Sequence, residues 1–260
     1  MKNERLRAFI WKTFYALNEQ KYEIDGHTIR YLFRNNRSNR LCVVFSAFPQ
    51  KGKMPGYNYV KTLWNGGGYD YLFICDDMVN IPTGGSYYLG NDGYYWGIDA
   101  VESFLAYFTQ KRKYERKIAV GSSKGGTAAL IFGLEMQFDA IVIGACQYKI
   151  GSYLNCPYHY KTLQALTGAE KVSNEEIERL DDITKRVLLK NRETSTEIWF
   201  HYSTKEHTYN EQIKELLRDL HDIGYVVHED VANYQEHSDV AKYFPAYMLR
   251  TLEELQKINC

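Results

Sequence analysis

The chain has 260 residues, with 32 Lys and Arg balanced by 32 Asp and Glu. That length fits one large α/β domain better than two small ones. Zero net charge supplies none of the basic excess of a nucleic-acid-binding surface, and a composition 45% hydrophobic and 25% charged excludes general disorder.

No apolar run approaches the roughly 18 residues that a membrane-spanning helix needs, so no transmembrane segment is expected. Residues 1–20 are charged throughout and lack the apolar centre of a secretory signal. The five cysteines, Cys42, Cys75, Cys146, Cys156 and Cys260, contain no C-x-x-C pair and do not cluster with histidines at ligand spacing. Reduced thiols, no metal, no cofactor and a cytoplasmic location are the expectation.

In chain order, residues 3–17 carry Leu6, Phe9, Ile10, Phe14 and Leu17 near helical spacing and predict an N-terminal helix within residues 3–20. Residues 22–24 and 28–33 alternate around Asp25-Gly26, a hairpin signal. Continuous apolar runs at 41–45 and 69–75 predict strands buried on both faces. Further strands are predicted at 118–120, 140–143, 198–202 and 225–227, with helical stripes between them and a last stripe from Val240 to Leu252. Alternating strands and helices imply a mostly parallel sheet with helices on both faces and the antiparallel hairpin at one edge. Two segments interrupt the alternation. Residues 76–96 form a Gly- and Tyr-rich loop, and residues 147–196 form a cap-like helical insertion within the single domain 1–260.

Residues 117–126 read apolar strand, then G-x-S-x-G-G, then apolar helix, the pattern of a nucleophile elbow. The nucleophile of such a turn sits in a strained conformation, and the residues two before and two after it crowd together. Gly121 and Gly125 meet that demand with Ser123 at the centre; Ser122 would place Val120 and Lys124 at the crowded positions. A phosphate loop is the weaker reading, because neither G-x-x-x-x-G-K-[ST] nor G-x-G-x-x-G occurs here.

An elbow serine needs a base and an orienting acid, which follow in the order acid, then His. His237 lies in the loop before the last helix, which Ser238 or Asp239 would cap. His201 and His228 fall in strands, His221 on a helix, His27 in the hairpin and His159 in the insertion, leaving His207 as the rival. Glu206 follows the strand at 198–202 and is the candidate acid. Thr208 and Glu211 form the better capping box, which keeps Glu206 in the loop; Asp230 is the weaker alternative. Oxyanion donors are expected from the backbone N–H of Lys124 and of Ala47 or Phe48, since Pro49 has none. Asp76, Asp77, Tyr87 and Tyr88 are candidates for binding a sugar, through carboxylate acceptors and ring faces. The alternative is that the aspartates cap a strand end and the tyrosines fill a small core.

VVFSAFP, LFICDD, GSYYLG, GSSKGGTAAL, STKEHTY and HSDVAKYFP, in this order, resemble a group of bacterial α/β-hydrolase-like proteins. That group includes the glycan O-acetyltransferase-like component of accessory Sec secretion systems and related capsular-polysaccharide biosynthesis proteins. The resemblance covers roughly residues 40–250, most of a domain of ordinary size; the large extra regions of the secretion component are absent. It implies an α/β-hydrolase fold with Ser123, Glu206 and His237 as the triad, an acyl ester donor and a sugar hydroxyl as acceptor. The expected function is a serine acyl enzyme, esterase or O-acyltransferase. The alternative is a non-catalytic scaffold of the same fold in glycan biosynthesis or protein secretion, with protein partners.

Overall fold

The structure is a computed structural model of the chain. It describes residues 2–49, 55–79, 81 and 84–258, with side chains from residue 9 onward. Cys260 and the side chain of Leu6 lie outside the described residues. A single eight-stranded sheet runs β1(Glu19–Ile24), β2(His27–Arg34), β4(Asp70–Ile74), β3(Arg40–Phe45), β5(Arg116–Ser122), β6(Ala140–Gly144), β7(Glu197–Ser203) and β8(Val227–Ala232) in spatial order. The first three are joined antiparallel and every later pairing is parallel. The hairpin turns at Asp25 and Gly26, both with positive φ, as a two-residue turn between twisted strands requires. The expected α/β-hydrolase architecture, with its antiparallel edge, is what the chain adopts.

The helices are α1(Lys2–Asn18), α2(Val60–Leu63), α3(Trp96–Gln110), α4(Lys124–Glu135), α5(Ile150–Leu154), α6(Tyr160–Thr167), α7(Asn174–Lys190), α8(Lys214–Ile223) and α9(Val240–Lys257). In β6, Gly133 of α4 faces Ile141, while Phe244 of α9 lies against Gly144. Ile141 and Gly144 are three apart and point to opposite faces, so α4 and α9 cover opposite sides of the sheet. The insertion supplies α5, α6 and α7, and α7 packs over α4. Ser173 opens α7 with a reciprocal capping box to Glu176.

Four sequence expectations are corrected. Of the predicted stripe of α1, Phe9, Ile10 and Leu17 are exposed and Phe14 faces inward, beside Trp11 and Tyr15; Phe14 meets Trp64 and Tyr15 meets Tyr57. The three inward rings together bury more apolar surface than one ring and two aliphatic side chains could. The helix also ends before residue 20, because β1 begins at Glu19. The last strand runs Val227–Ala232 rather than 225–227. It is an edge strand with half-exposed charged positions, so it lacks the apolar run that marks its buried neighbours. Tyr225 instead closes α8, its N–H bonding to Leu220 O and its hydroxyl to Leu188 O. Finally, Thr208 makes no capping hydrogen bond; residues Tyr209–Ile213 form a π-helical turn that leads into α8.

Candidate active site

Ser123 joins the end of β5 to the start of α4 with φ 51° and ψ −129°, a conformation costly for a residue with a Cβ. A Cβ on Gly121 would stand 2.0 Å from Gly125 O, and one on Gly125 would stand 2.5 Å from Phe45 O. Only glycine fits at these two places, so their spacing fixes the turn. The Ser123 N–H is held by Gly144 O at 2.7 Å, and Ser123 O accepts from Gly126 and Thr127.

The loops after β7 and β8 deliver the other two groups. Ser123 Oγ lies 2.8 Å from His237 Nε2, and His237 Nδ1 lies 2.8 Å from Glu206 Oε2. Glu206 is buried and His237 is partly open to solvent. An ionised carboxylate accepts only, so Nδ1 carries the proton and Nε2 is left as the acceptor for the serine hydroxyl. His237 stands in a short 3-10 turn ahead of α9. Asp239 holds the N-cap place there but makes no side-chain cap, pairing with Lys242 instead. The alternatives found other places. Asp230 binds His201 Nδ1, His207 is exposed with its ring 6.2 Å from that of His237, and His159 is buried beside Phe48. Burial, reinforced by the nearby His237, lowers His159 to about 4 and keeps it neutral at pH 7.

Of the expected oxyanion donors, the N–H of Lys124 stands in the first turn of α4, where an amide has no intrahelical partner. The N–H of Ala47 is already engaged by Asn58 Oδ1 at 3.0 Å, which corrects its place among the donors and leaves Phe48 on that loop. Ser46 does not face the site: its N–H and hydroxyl both meet Tyr88 OH, and its oxygen accepts from Asp76 N–H.

Three of the four proposed sugar contacts are corrected in favour of the alternative, a strand-end cap and a buried core; Asp77 stays partly exposed. Asp76, Tyr87 and Tyr88 are buried and none offers a surface to a ligand. Asp76 accepts from Lys124 Nζ at 2.6 Å, from the N–H and hydroxyl of Ser86, and from the Tyr88 N–H. Tyr88 OH donates to Ile74 O. Asp77 pairs with Arg30 on the hairpin. Burial pushes the Asp77 carboxyl and both phenols up. The loop is polar in composition because it wraps a buried charge: Lys124, wholly buried under the elbow, lies over the rings of Tyr88 and Phe48.

Sequence reasoning missed Gln147. It follows β6, is fully buried, and donates from Nε2 to Ser123 Oγ at 3.1 Å. No motif marks it. The insertion that it begins builds a cavity of about 650 Å³ beside the triad, lined by Tyr153, Tyr158 and His159 together with His207. None of the described residues of the loop 76–96 lines that cavity.

No family model and no curated protein matches this sequence. Solved structures do match in shape. A capsule O-acetyltransferase of Neisseria meningitidis serogroup A superposes with a TM-score of 0.70 over 90% of this chain and 94% of its own, at 19% identity. A single-residue mutant of that protein has also been solved in complex with CoA. The glycosylation-associated Gap123 complex of Streptococcus agalactiae matches with a TM-score of 0.69 at 19% identity, over 91% of this chain and 47% of the other. A fluorophosphonate-binding serine hydrolase, FphF of Staphylococcus aureus, matches with a TM-score of 0.63 at 12% identity, over 92% and 97%. At these identities the likeness establishes the α/β-hydrolase fold. Among the described residues no helix is long and apolar enough to cross a membrane.

Proposed function

We propose that the chain is a serine acyl enzyme that moves an acyl group, acetyl in the first instance, to or from a carbohydrate hydroxyl. The observation that carries this reading is the continuous relay from Ser123 Oγ through His237 to Glu206, with both hydrogen bonds at 2.8 Å. Ser123 Oγ attacks the acyl carbon as its proton passes to His237 Nε2. The Lys124 and Phe48 amides receive the oxyanion, each donor contributing about 3 kcal/mol to the transition state. The bond to the leaving group then breaks, and that group departs with the proton held by His237. In the second half an acceptor hydroxyl gives its proton to His237 and attacks the acyl carbon, and Oγ leaves with the proton. Glu206 holds the imidazole tautomer and stabilises the imidazolium throughout.

The carbohydrate acceptor is supported by the capsule O-acetyltransferase among the structural neighbours and by tyrosines lining the cavity beside the triad. The CoA complex of that neighbour supports an activated ester or thioester as donor. A fluorophosphonate probe tests the reading: the wild-type protein becomes labelled on Ser123 and Ser123→Ala does not. A wild-type protein that resists the probe, with its fold intact, returns the chain to a scaffold role.

A further inference from the structure

Gln147 touches the atom that the proposed reaction turns on, yet no motif announces it. The protonation pattern fixes which end of its amide faces Ser123. Glu206 accepts the hydrogen bond from His237 Nδ1–H, so Nε2 accepts the hydrogen bond from the single O–H of Ser123. Ser123 Oγ can then only accept from Gln147, which turns Nε2 toward the serine and Oε1 toward Tyr87 OH at 3.2 Å. The amide also lies 3.5 Å from His237 Nε2.

The placement is rigid. The Thr127 hydroxyl donates to Gln147 O at 2.7 Å and accepts from Gln147 N–H at 3.0 Å. Thr127 is one turn along α4 from Ser123, so the helix that starts at the elbow also clamps the backbone of Gln147. Tyr87, fully buried, holds the far end of the amide. Phe48 follows β3 and Gln147 follows β6, strands on opposite sides of β5. Gln147 therefore stands apart from the expected oxyanion donors and serves a different oxygen, the serine's own.

We propose that Gln147 is a further catalytic residue that stabilises negative charge on Ser123 Oγ; this rests on the serine acyl enzyme reading. Charge builds on Oγ twice. It builds as the hydroxyl proton passes to His237 and Oγ bonds to the acyl carbon. It builds again when the acceptor's oxygen has bonded to that carbon and the carbon–Oγ bond breaks, before Oγ takes the proton back from His237. A donor aimed at Oγ lowers both barriers and is indifferent to whether the acceptor is water or a sugar. Hydrogen bonds to a charged atom are worth roughly twice neutral ones, which sets the loss on removing this donor at about 10- to 100-fold in rate.

The test uses the full chain with p-nitrophenyl acetate as donor, glycerol as acceptor, and a fluorophosphonate probe. Gln147→Glu keeps the shape and still accepts from Tyr87, but as a carboxylate it offers Oγ no donor. Gln147→Ala removes the group outright. Both variants should slow labelling, acetylation and deacetylation of Ser123 by about 10- to 100-fold, while the ratio of transfer to hydrolysis stays at the wild-type value. A Gln147→Glu protein that reacts at the wild-type rate overturns the proposal, because shape alone then suffices. So does acetylation slowed without deacetylation. A wild-type protein unlabelled by the probe overturns both this inference and the reading beneath it; labelled wild type with unaffected Gln147 variants overturns this one alone.

Discussion

The buried pair of Lys124 and Asp76 makes a quantitative prediction about how the elbow is supported. Lys124 is fully buried and Asp76 nearly so, with Nζ and Oδ2 at 2.6 Å. Asp76→Ala strips Lys124 of its counter-charge and also abandons the Ser86 N–H, the Ser86 hydroxyl and the Tyr88 N–H. Leaving a buried charge unpaired costs about 3–5 kcal/mol. At roughly 2–4 °C per kcal/mol for a chain of this size class, the melting temperature should fall by about 6–20 °C. Lys124→Met should cost less, because the Asp76 carboxylate keeps its other three donors. The double variant, with both charges gone, should be more stable than the sum of the two losses allows, since the unpaired lysine is no longer there to be penalised. Urea unfolding of the four proteins at pH 7 measures the cycle. Asp76→Ala within about 0.5 kcal/mol of wild type, or strict additivity in the double variant, would mean that Lys124 does not depend on its counter-charge.

Ser123→Ala should lower turnover of a small acetyl ester by about 10⁴-fold or more. Ser122→Ala, which loses a hydrogen bond to Tyr59 behind the turn, should be comparatively mild in a steady-state assay. Gly121→Ala should abolish probe labelling and lower the melting temperature, because its Cβ would sit 2.0 Å from Gly125 O. His159 has a folded value lowered to about 4 from an ordinary 6.5, so the unfolded chain binds its proton first. Its contribution to stability is present above about 6.5 and is lost as pH falls toward about 4. Replacing it in His159→Phe should flatten that part of a stability–pH profile measured by denaturant titration.

The arrangement of Ser123, His237 and Glu206 was legible in the sequence because local rules specify it. Two glycines at fixed spacing fix the turn, and chain order delivers acid and then histidine from successive strand ends. The parallel sheet was legible because its central strands are continuous apolar runs. What the sequence hid is long-range. Gln147 reaches Ser123 only because β6 lies beside β5 and Thr127 clips the chain to α4. For Asp76 and Tyr88 the sequence leaves sugar contact and a strand-end cap with a small core both open, since nothing local reveals that Lys124 is buried beneath them. Nothing near Ala47 in the sequence shows that Asn58, on the far side of the loop, engages its amide. The edge strand Val227–Ala232 starts later than its apolar pattern predicts, because half-exposed edges carry charges where buried strands carry valine and isoleucine.

A serine acyl enzyme carries its acyl group on Ser123 during turnover. Acid quenching of the protein within the first turnovers of p-nitrophenyl acetate, followed by peptide mapping by mass spectrometry, measures this directly. One acetyl group is expected, on Ser123, absent from Ser123→Ala and lost when glycerol is added before the quench. Turnover that proceeds with no acetyl on Ser123, or with the acetyl on another side chain, would contradict it.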